Sequence, residues 1–252
     1  MNPAAAIGGG TSRYTGIQLK SGSASKIDDE VVREHRFRLY LNDRFFSDVV
    51  ASNDLLEELG AGFVICEGLA DSVDSVKTTG NEIRVYADIR DPMEKELRSS
   101  GCIGVHRIPR LVTSNLIITV SDVHRITREI ETDIWRKTGG VHCSVLFSGG
   151  EIVIKSSDVG RHNTVDKVVG FAELRGIDRS LCVIGCTGRQ PAGMVAKSAH
   201  AGIPVIISKA ASTDRGIATA EAAGVTLICF SRGDWFTVYT KPDRIRDMPG
   251  FL

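Results

Sequence analysis

From Val141 onward the apolar residues alternate between short strands and helices. The order is strand "VHCSVLF", turn "SGGE", strand "EIVIKSS", helix "NTVDKVVGFAELRG", strand "LCVIGC", helix "PAGMVAKSAHAG", strand "PVIISKA", helix "DRGIATAEAAG" and strand "VTLICFS". No other feature constrains the fold as tightly. Strands separated by helix-length connections predict a largely parallel sheet with both faces covered, because a parallel neighbour is reached only by crossing over the sheet. Val165, Val168, Val169 and Ala172 recur at the spacing of a helix laid apolar face down on such a sheet.

The upstream half is richer in strand patterns. Phe37, Leu39 and Leu41 alternate with polar residues, and Asn42-Asp43-Arg44 reads as a turn into a second strand. Ser52 to Asp54 offer helix caps for "LLEELGAGFVICEGL", and "SVKTTGNEIRVYADI" reads as a hairpin around Thr79-Gly80-Asn81 with Ile83, Val85 and Ala87 facing one way. The stretch "RSSGCIGVHRIPR" has no clear period and reads as a loop. "SDVHRITREIETDIWRKTGG" reads as one helix, with a serine start, apolar residues at Val123, Ile126, Ile130 and Ile134, and a Gly139-Gly140 stop. The expected organisation is a flexible Gly/Ser-rich lead over 1–30, a β-rich subdomain with the cysteine loop over 31–110, and an α/β domain over 111–252.

Charge and cysteine usage exclude several classes. Lys+Arg and Asp+Glu both number 31, which gives no general attraction to nucleic acid. No apolar run approaches the roughly 20 residues that span a bilayer, and the first residues lack the basic start of a signal peptide. The six cysteines are scattered with no C-x-x-C pair, so neither a zinc site nor a dithiol is expected, and a reducing cytoplasm fits best. Cys182 and Cys186 would lie about 13 Å apart along a strand, beyond the disulfide limit of about 7 Å, and read as buried, inert thiols.

Ligands of open α/β sheets bind beyond the carboxyl ends of the strands, where helix N-termini favour anions. Here those ends carry "SSDVGRHN", "CTGRQPAG" and "SKAASTDRG". Gly160 and Gly188 allow close backbone approach, while Arg161, Arg189 and Lys209 supply positive charge, which points to a phosphate-bearing ligand. His162 is a candidate contact or an ordinary turn residue, and Asp158 and Asp166 read as ligand contacts, helix caps or salt-bridge partners. Any one such turn is more often a solvated loop; three on one rim are harder to dismiss.

"SDVGRHNTVDKVVG" resembles the signature of the formate dehydrogenase accessory protein family, FdhD. The resemblance extends to "LNDRFFSDVVASNDLLEELGAGFVICEGL", "TGGVHCSVLF", "AGIPVIISKAAS", "AEAAGVTLICF" and "FTVYTKPDRI". It implies a cytidine-deaminase-like three-layer α/β/α domain with a β-rich N-terminal part, usually as a homodimer. It implies a sulfurtransferase that takes sulfur from a cysteine desulfurase and passes it to the molybdenum guanine dinucleotide cofactor of a molybdenum-dependent formate dehydrogenase. The family's cofactor-binding segment falls on Phe230, Ser231, Arg232, Gly233, Asp234 and Trp235, with Arg232 as the charged contact and Trp235 as a stacking surface; Phe230 reads equally as core. Zinc deamination, the rival chemistry of such a fold, needs H-x-E and P-C-x-x-C. "VHCS" supplies His142 without the glutamate and "IGCTGRQP" has no second cysteine, so His142 reads as a buried or rim histidine.

In the family the sulfur rides on a C-x-x-C loop whose first cysteine falls on Cys102. The second position falls on Val105, or near His106 if the gap is shifted, and neither is a thiol. Arg98, His106 and Arg107 favour the thiolate, the form that attacks sulfur. Two functions follow: a sulfur carrier acting through Cys102 alone, or a molybdenum-cofactor or guanine-nucleotide binding chaperone without sulfur transfer.

Overall fold

A computed structural model describes residues 6–7, 10–90, 95–97, 103–105 and 108–250. The first two long strands, β1 (Thr11–Lys20) and β2 (Ser23–Val32), form an antiparallel hairpin paired along its whole length. Over residues 11–30 this hairpin replaces the expected flexible lead. Few of these side chains are buried, so the apolar alternation that marks a strand is missing. Register comes instead from the tight turn at Ser21 and Gly22, both at positive φ (51° and 82°), which suits the twist of a two-residue hairpin loop.

Strands β3 (His35–Leu41) and β4 (Arg44–Ala51) turn through Asn42 and Asp43, and helix α1 (Leu56–Cys66) leads to the hairpin of β5 (Ser75–Thr79) and β6 (Glu82–Tyr86). The four strands pair in the order β4-β3-β6-β5. Phe37, Leu39, Leu41, Ile83, Val85 and Ala87 all face one buried core, as their alternation predicts. Ser52 and Asp54 do not cap α1, as expected from their type. The helix follows Leu55 in a left-handed conformation without a side-chain cap, and both polar residues are drawn into a buried ion network.

Downstream, the expected loop is interrupted by a short antiparallel pairing of Lys95–Leu97 with Ile103–Val105. Cys102 lies outside the described residues, as do Arg98, His106 and Arg107. The expected single helix is two, α2 (Val120–Glu129) and α3 (Asp133–Thr138). Thr119, not Ser121, caps α2 in a reciprocal box with Asp122, and Thr132 accepts the Trp135 N–H to start α3. A second cap inside the apolar pattern breaks the helix although Ile130 and Ile134 keep its spacing.

The large sheet contains β7 (His142–Ser148), β8 (Glu151–Asp158), β9 (Cys182–Cys186), β10 (Val205–Ser208), β11 (Thr226–Arg232) and β12 (Trp235–Thr240). Their spatial order is β8-β7-β9-β10-β11-β12. Only β9, β10 and β11 pair in parallel, and β7 and β12 run against them, so the sheet is mixed and not largely parallel. Gly149 and Gly150, both at positive φ, close β7 and β8 into an antiparallel hairpin, and β12 folds back on β11. Helices α4 (Arg161–Leu174), α5 (Ala192–His200) and α6 (Asp214–Ala223) cover one face, and α2 covers the other, giving the expected three layers. Val165, Val168 and Val169 are almost fully buried, each worth about 1.5–3 kcal/mol.

Helix α1 joins the two parts. Its residues from Leu59 to Cys66 are all buried, because one side faces the four-stranded sheet and the other packs on α4. The helices meet backbone to backbone: a Cβ on Gly62 would lie 1.7 Å from the Asp166 carbonyl oxygen, and one on Gly170 would lie 1.9 Å from that of Glu58. Among the described residues no helix is long and apolar enough to cross a membrane.

Candidate functional site

At the carboxyl edge of the parallel strands a cavity of about 590 Å³ opens between the sheet and the α2–α3 layer. Thr187 follows β9, Lys209 and Ala210 follow β10, and Arg232 ends β11 with Gly233 after it. His142 opens antiparallel β7 and Val159 follows β8, so they reach the same edge. Glu131, Trp135, Gly139, Gly140 and Val141 close the opposite wall.

Lys209 and Arg232 come from neighbouring strand ends. Arg232 Nε donates to the Lys209 carbonyl at 2.8 Å, which ties the two cations to one turn. The Lys209 ammonium lies 2.5 Å from Glu131 Oε1, with both side chains mostly buried. The end of β11 is shaped by Phe230, a non-glycine residue at φ 52° whose N–H donates to the Ala210 carbonyl at 3.0 Å. The β11–β12 register shifts between Cys229 and Arg232, as at a bulge that re-aims a strand end.

His142 Nδ1 lies 3.4 Å from Thr187 Oγ1, which also accepts the Cys143 N–H at 3.0 Å. Burial, reinforced by the positive charge of Arg161 and opposed by Asp158, pushes the imidazole below its usual range. His142 is therefore a neutral group in a cavity otherwise lined by two cations and a carboxylate. It sits on the rim, as its sequence context predicts.

Other expected site residues lie around the cavity without lining it. Gly160 is the N-cap of α4, and buried Gly188 packs so closely on Arg161 that a Cβ would meet that side chain at 3.1 Å. The Gly188 carbonyl is held by Gln190 Nε2 and Ser208 Oγ, both at 2.8 Å, which fixes the turn after β9. His162 is buried in the first turn of α4, and Arg189 is exposed. Of the segment from Phe230 to Trp235, Arg232 and Gly233 line the cavity. Ser231 is buried with its hydroxyl 2.5 Å from that of Thr127, Asp234 is exposed, and Trp235 stacks on Phe230 with centroids 6.2 Å apart. The indole in the cavity wall is Trp135. Sequence reasoning missed it, together with Glu131 and Thr187. The helix break at Thr132 aims Trp135 and Glu131 at the strand ends, and a second cap-forming threonine is the signal that could have exposed it.

Asp158 and Asp166 are salt-bridge partners. Asp158 is fully buried and accepts from Ser52 N–H (3.0 Å), Gly160 N–H (2.9 Å) and Asn163 Nδ2 (2.7 Å), while Lys167 Nζ lies 2.7 Å away. Lys167 also pairs with Asp54. Asp166, the residue before Lys167 on α4, faces α5, where Lys197 Nζ is 2.7 Å from both Asp166 and Glu67. Burial raises Asp166 above the usual carboxylate range; the Lys197 ammonium opposes this and the Glu67 charge adds to it. The signature-like stretch thus anchors α4 to α1, α5 and the four-stranded sheet.

The five described cysteines, Cys66, Cys143, Cys182, Cys186 and Cys229, are buried and free. Burial pushes Cys186 up to about 11 and Cys229 up to about 12, and also raises Cys66 and Cys182. These four are poorly suited to act as thiolates.

The sequence model of the FdhD/NarQ family matches residues 32–246. The chain belongs to the FdhD/NarQ family. It is 33% identical over 231 residues to the sulfur carrier protein FdhD of Methanothermobacter thermautotrophicus, covering 87% of this chain and 93% of that one. It is 30% identical over 279 residues to the sulfur carrier protein FdhD of Thermoplasma volcanium, covering 97% and 99%. Its fold is similar to the crystal structure of a formate dehydrogenase accessory protein from Desulfotalea psychrophila, with a TM-score of 0.79 at 27% identity over 94% of this chain and all of that one. FdhD relatives named as sulfur carriers and formate dehydrogenase accessory proteins thus share both the sequence pattern and the α/β architecture of this chain.

Proposed function

We propose that this chain is an accessory sulfurtransferase for a molybdenum-dependent formate dehydrogenase. It receives sulfur from a cysteine desulfurase on Cys102 and delivers it to the molybdenum guanine dinucleotide cofactor, bound as substrate at the carboxyl edge of the sheet. The observation that carries the reading is the cavity into which Lys209 and Arg232 converge beside the Trp135 indole. Two cations suit a pyrophosphate, and an indole supplies a face for a flat heterocycle.

In the loading step the Cys102 thiolate attacks the terminal sulfur of the desulfurase persulfide. The S–S bond of that persulfide breaks, the desulfurase cysteine leaves as a thiolate, and Cys102 holds the sulfur as a persulfide. Cys102 is the candidate because the other five thiols are buried. Such buried, unpaired thiols also suit a reducing cytoplasm. Val105 at the place of a second thiol favours an alternative, a chaperone that binds the cofactor or a guanine nucleotide without moving sulfur.

Titration calorimetry with GDP tests the site. Wild type is expected to bind and Arg232→Ala to bind at least about tenfold more weakly, the loss of a charge-assisted phosphate contact. Equal affinity of the two proteins would remove Arg232, and the cavity with it, from the binding site.

A further inference from the structure

We propose that Asp71 is a positioning residue for sulfur loading: its carboxylate joins the two roots of the segment that carries Cys102. The role rests on the sulfur-carrier reading. Arg90 precedes that segment and Arg110 closes it. Both guanidinium groups meet one Asp71 oxygen, since Arg90 Nη2 donates to Oδ2 and Arg110 Nη1 lies 3.6 Å from the same atom. Between the roots, Lys95–Leu97 pairs with Ile103–Val105, and in sequence Cys102 stands directly before the returning strand.

Each member of this junction is tied to the body of the protein. The Arg90 N–H donates to the Leu69 carbonyl at 2.7 Å, and its Nη1 to that of Gly68 at 3.3 Å. Past Arg110, the Val112 N–H donates to the Ala223 carbonyl at 2.8 Å, and the Val112 side chain is buried in one core with Ala220 and Ala223 of α6. Arg179, in the turn before β9, donates from Nη2 to the Asp71 carbonyl at 3.0 Å and from Nε to that of Ala201 at 2.9 Å, and it pairs with Glu173. An isolated surface ion pair contributes little, because two side chains are ordered for one contact. Here a single carboxylate on a held backbone serves two cations. The pairs also close the base of a loop, which limits the orientations in which its thiol can be presented to a donor protein.

Asp71→Asn tests the role. The Asp71 side chain is exposed and Arg179 holds only its backbone carbonyl, so the substitution removes the charge and leaves the packing in place. Sulfur gain on Cys102 from a persulfurated cysteine desulfurase, followed by intact mass, is expected to slow about fivefold. Alkylation of Cys102 by iodoacetamide needs no protein docking and is expected to stay within about twofold of wild type. Asp71→Glu keeps the charge and is expected to load sulfur within about twofold of wild type. Tryptic cleavage after Lys95, Arg98 or Arg107 is expected to be about fivefold faster in Asp71→Asn, because its roots are no longer joined. Loading at the wild-type rate, alkylation that slows together with loading, an Asp71→Glu protein as slow as Asp71→Asn, or unchanged cleavage would each overturn the role of Asp71. A wild type that gains no sulfur while Asp71→Asn is still cleaved faster would overturn the sulfur-carrier reading instead.

Discussion

Lys209 Nζ lies 2.5 Å from Glu131 Oε1 at the cavity wall, so the ammonium that best suits an incoming phosphate is already held by a carboxylate of the chain. Glu131→Gln removes that competitor. A partly exposed pair of this kind is worth about 0.2–1 kcal/mol, so pyrophosphate is expected to bind up to about fivefold more tightly to the variant. Lys209→Met is expected to bind more weakly than wild type. Calorimetry at constant ionic strength checks both; unchanged or weaker binding by Glu131→Gln would show that the carboxylate does not compete with the ligand.

Asp158 and Lys167 form a fully buried pair, but their dependence on each other is unequal. Without Lys167, Asp158 keeps three N–H donors; without Asp158, Lys167 keeps Asp54 and the Ser52 carbonyl, and three donors lose their acceptor. Asp158→Ala is therefore expected to cost about 3–5 kcal/mol, and Lys167→Met clearly less. Urea unfolding midpoints of the two variants measure the order, and equal losses would contradict it.

The contact of α1 with α4 leaves no room for a side chain at Gly170. An alanine in a helix interior normally adds stability, yet Gly170→Ala is expected to lose about 2–3 kcal/mol because the helices must separate. A melting temperature at or above that of wild type would show that the approach is looser.

His142 is held below its usual range by burial and by Arg161, so it is neutral in the free protein at pH 7. The sign follows: its contribution to folding is complete above the unfolded-state value of about 6.5 and is lost as pH falls through that value toward the folded one. A bound anion favours the protonated imidazole. Sulfate, which does not titrate in this range, is therefore expected to bind more tightly as pH falls below about 6.5, in a cavity that also holds Glu131, Lys209 and Arg232. His142→Gln should remove this component; an unchanged pH profile in that variant would assign it to another group.

Much of the fold was legible because period and turn chemistry agree. Phe37, Leu39 and Leu41 alternate into one core, and Val165, Val168 and Val169 fall on the α4 face that meets the sheet. The β1–β2 hairpin was not legible, because exposed strands carry no apolar period and its register rests on the backbone at Ser21 and Gly22. The mixed sheet was hidden for a related reason: strand direction between β7 and β9 is a tertiary property that alternation does not encode. In the site, Lys209 was legible as a charge at a strand end, and Arg232 through the family resemblance. Trp135 and Glu131 come from the other layer, where the break at Thr132 decides their aim, so the stacking aromatic was sought at Trp235.

We propose that Cys102 carries sulfur although Val105 stands where the family has a second cysteine. Intact mass after incubation with a cysteine desulfurase and cysteine measures it directly. Wild type is expected to gain the mass of added sulfur, reversed by a reductant, and Cys102→Ala is expected to gain none. Wild type that gains nothing, or a Cys102→Ala protein that gains as much, would contradict it.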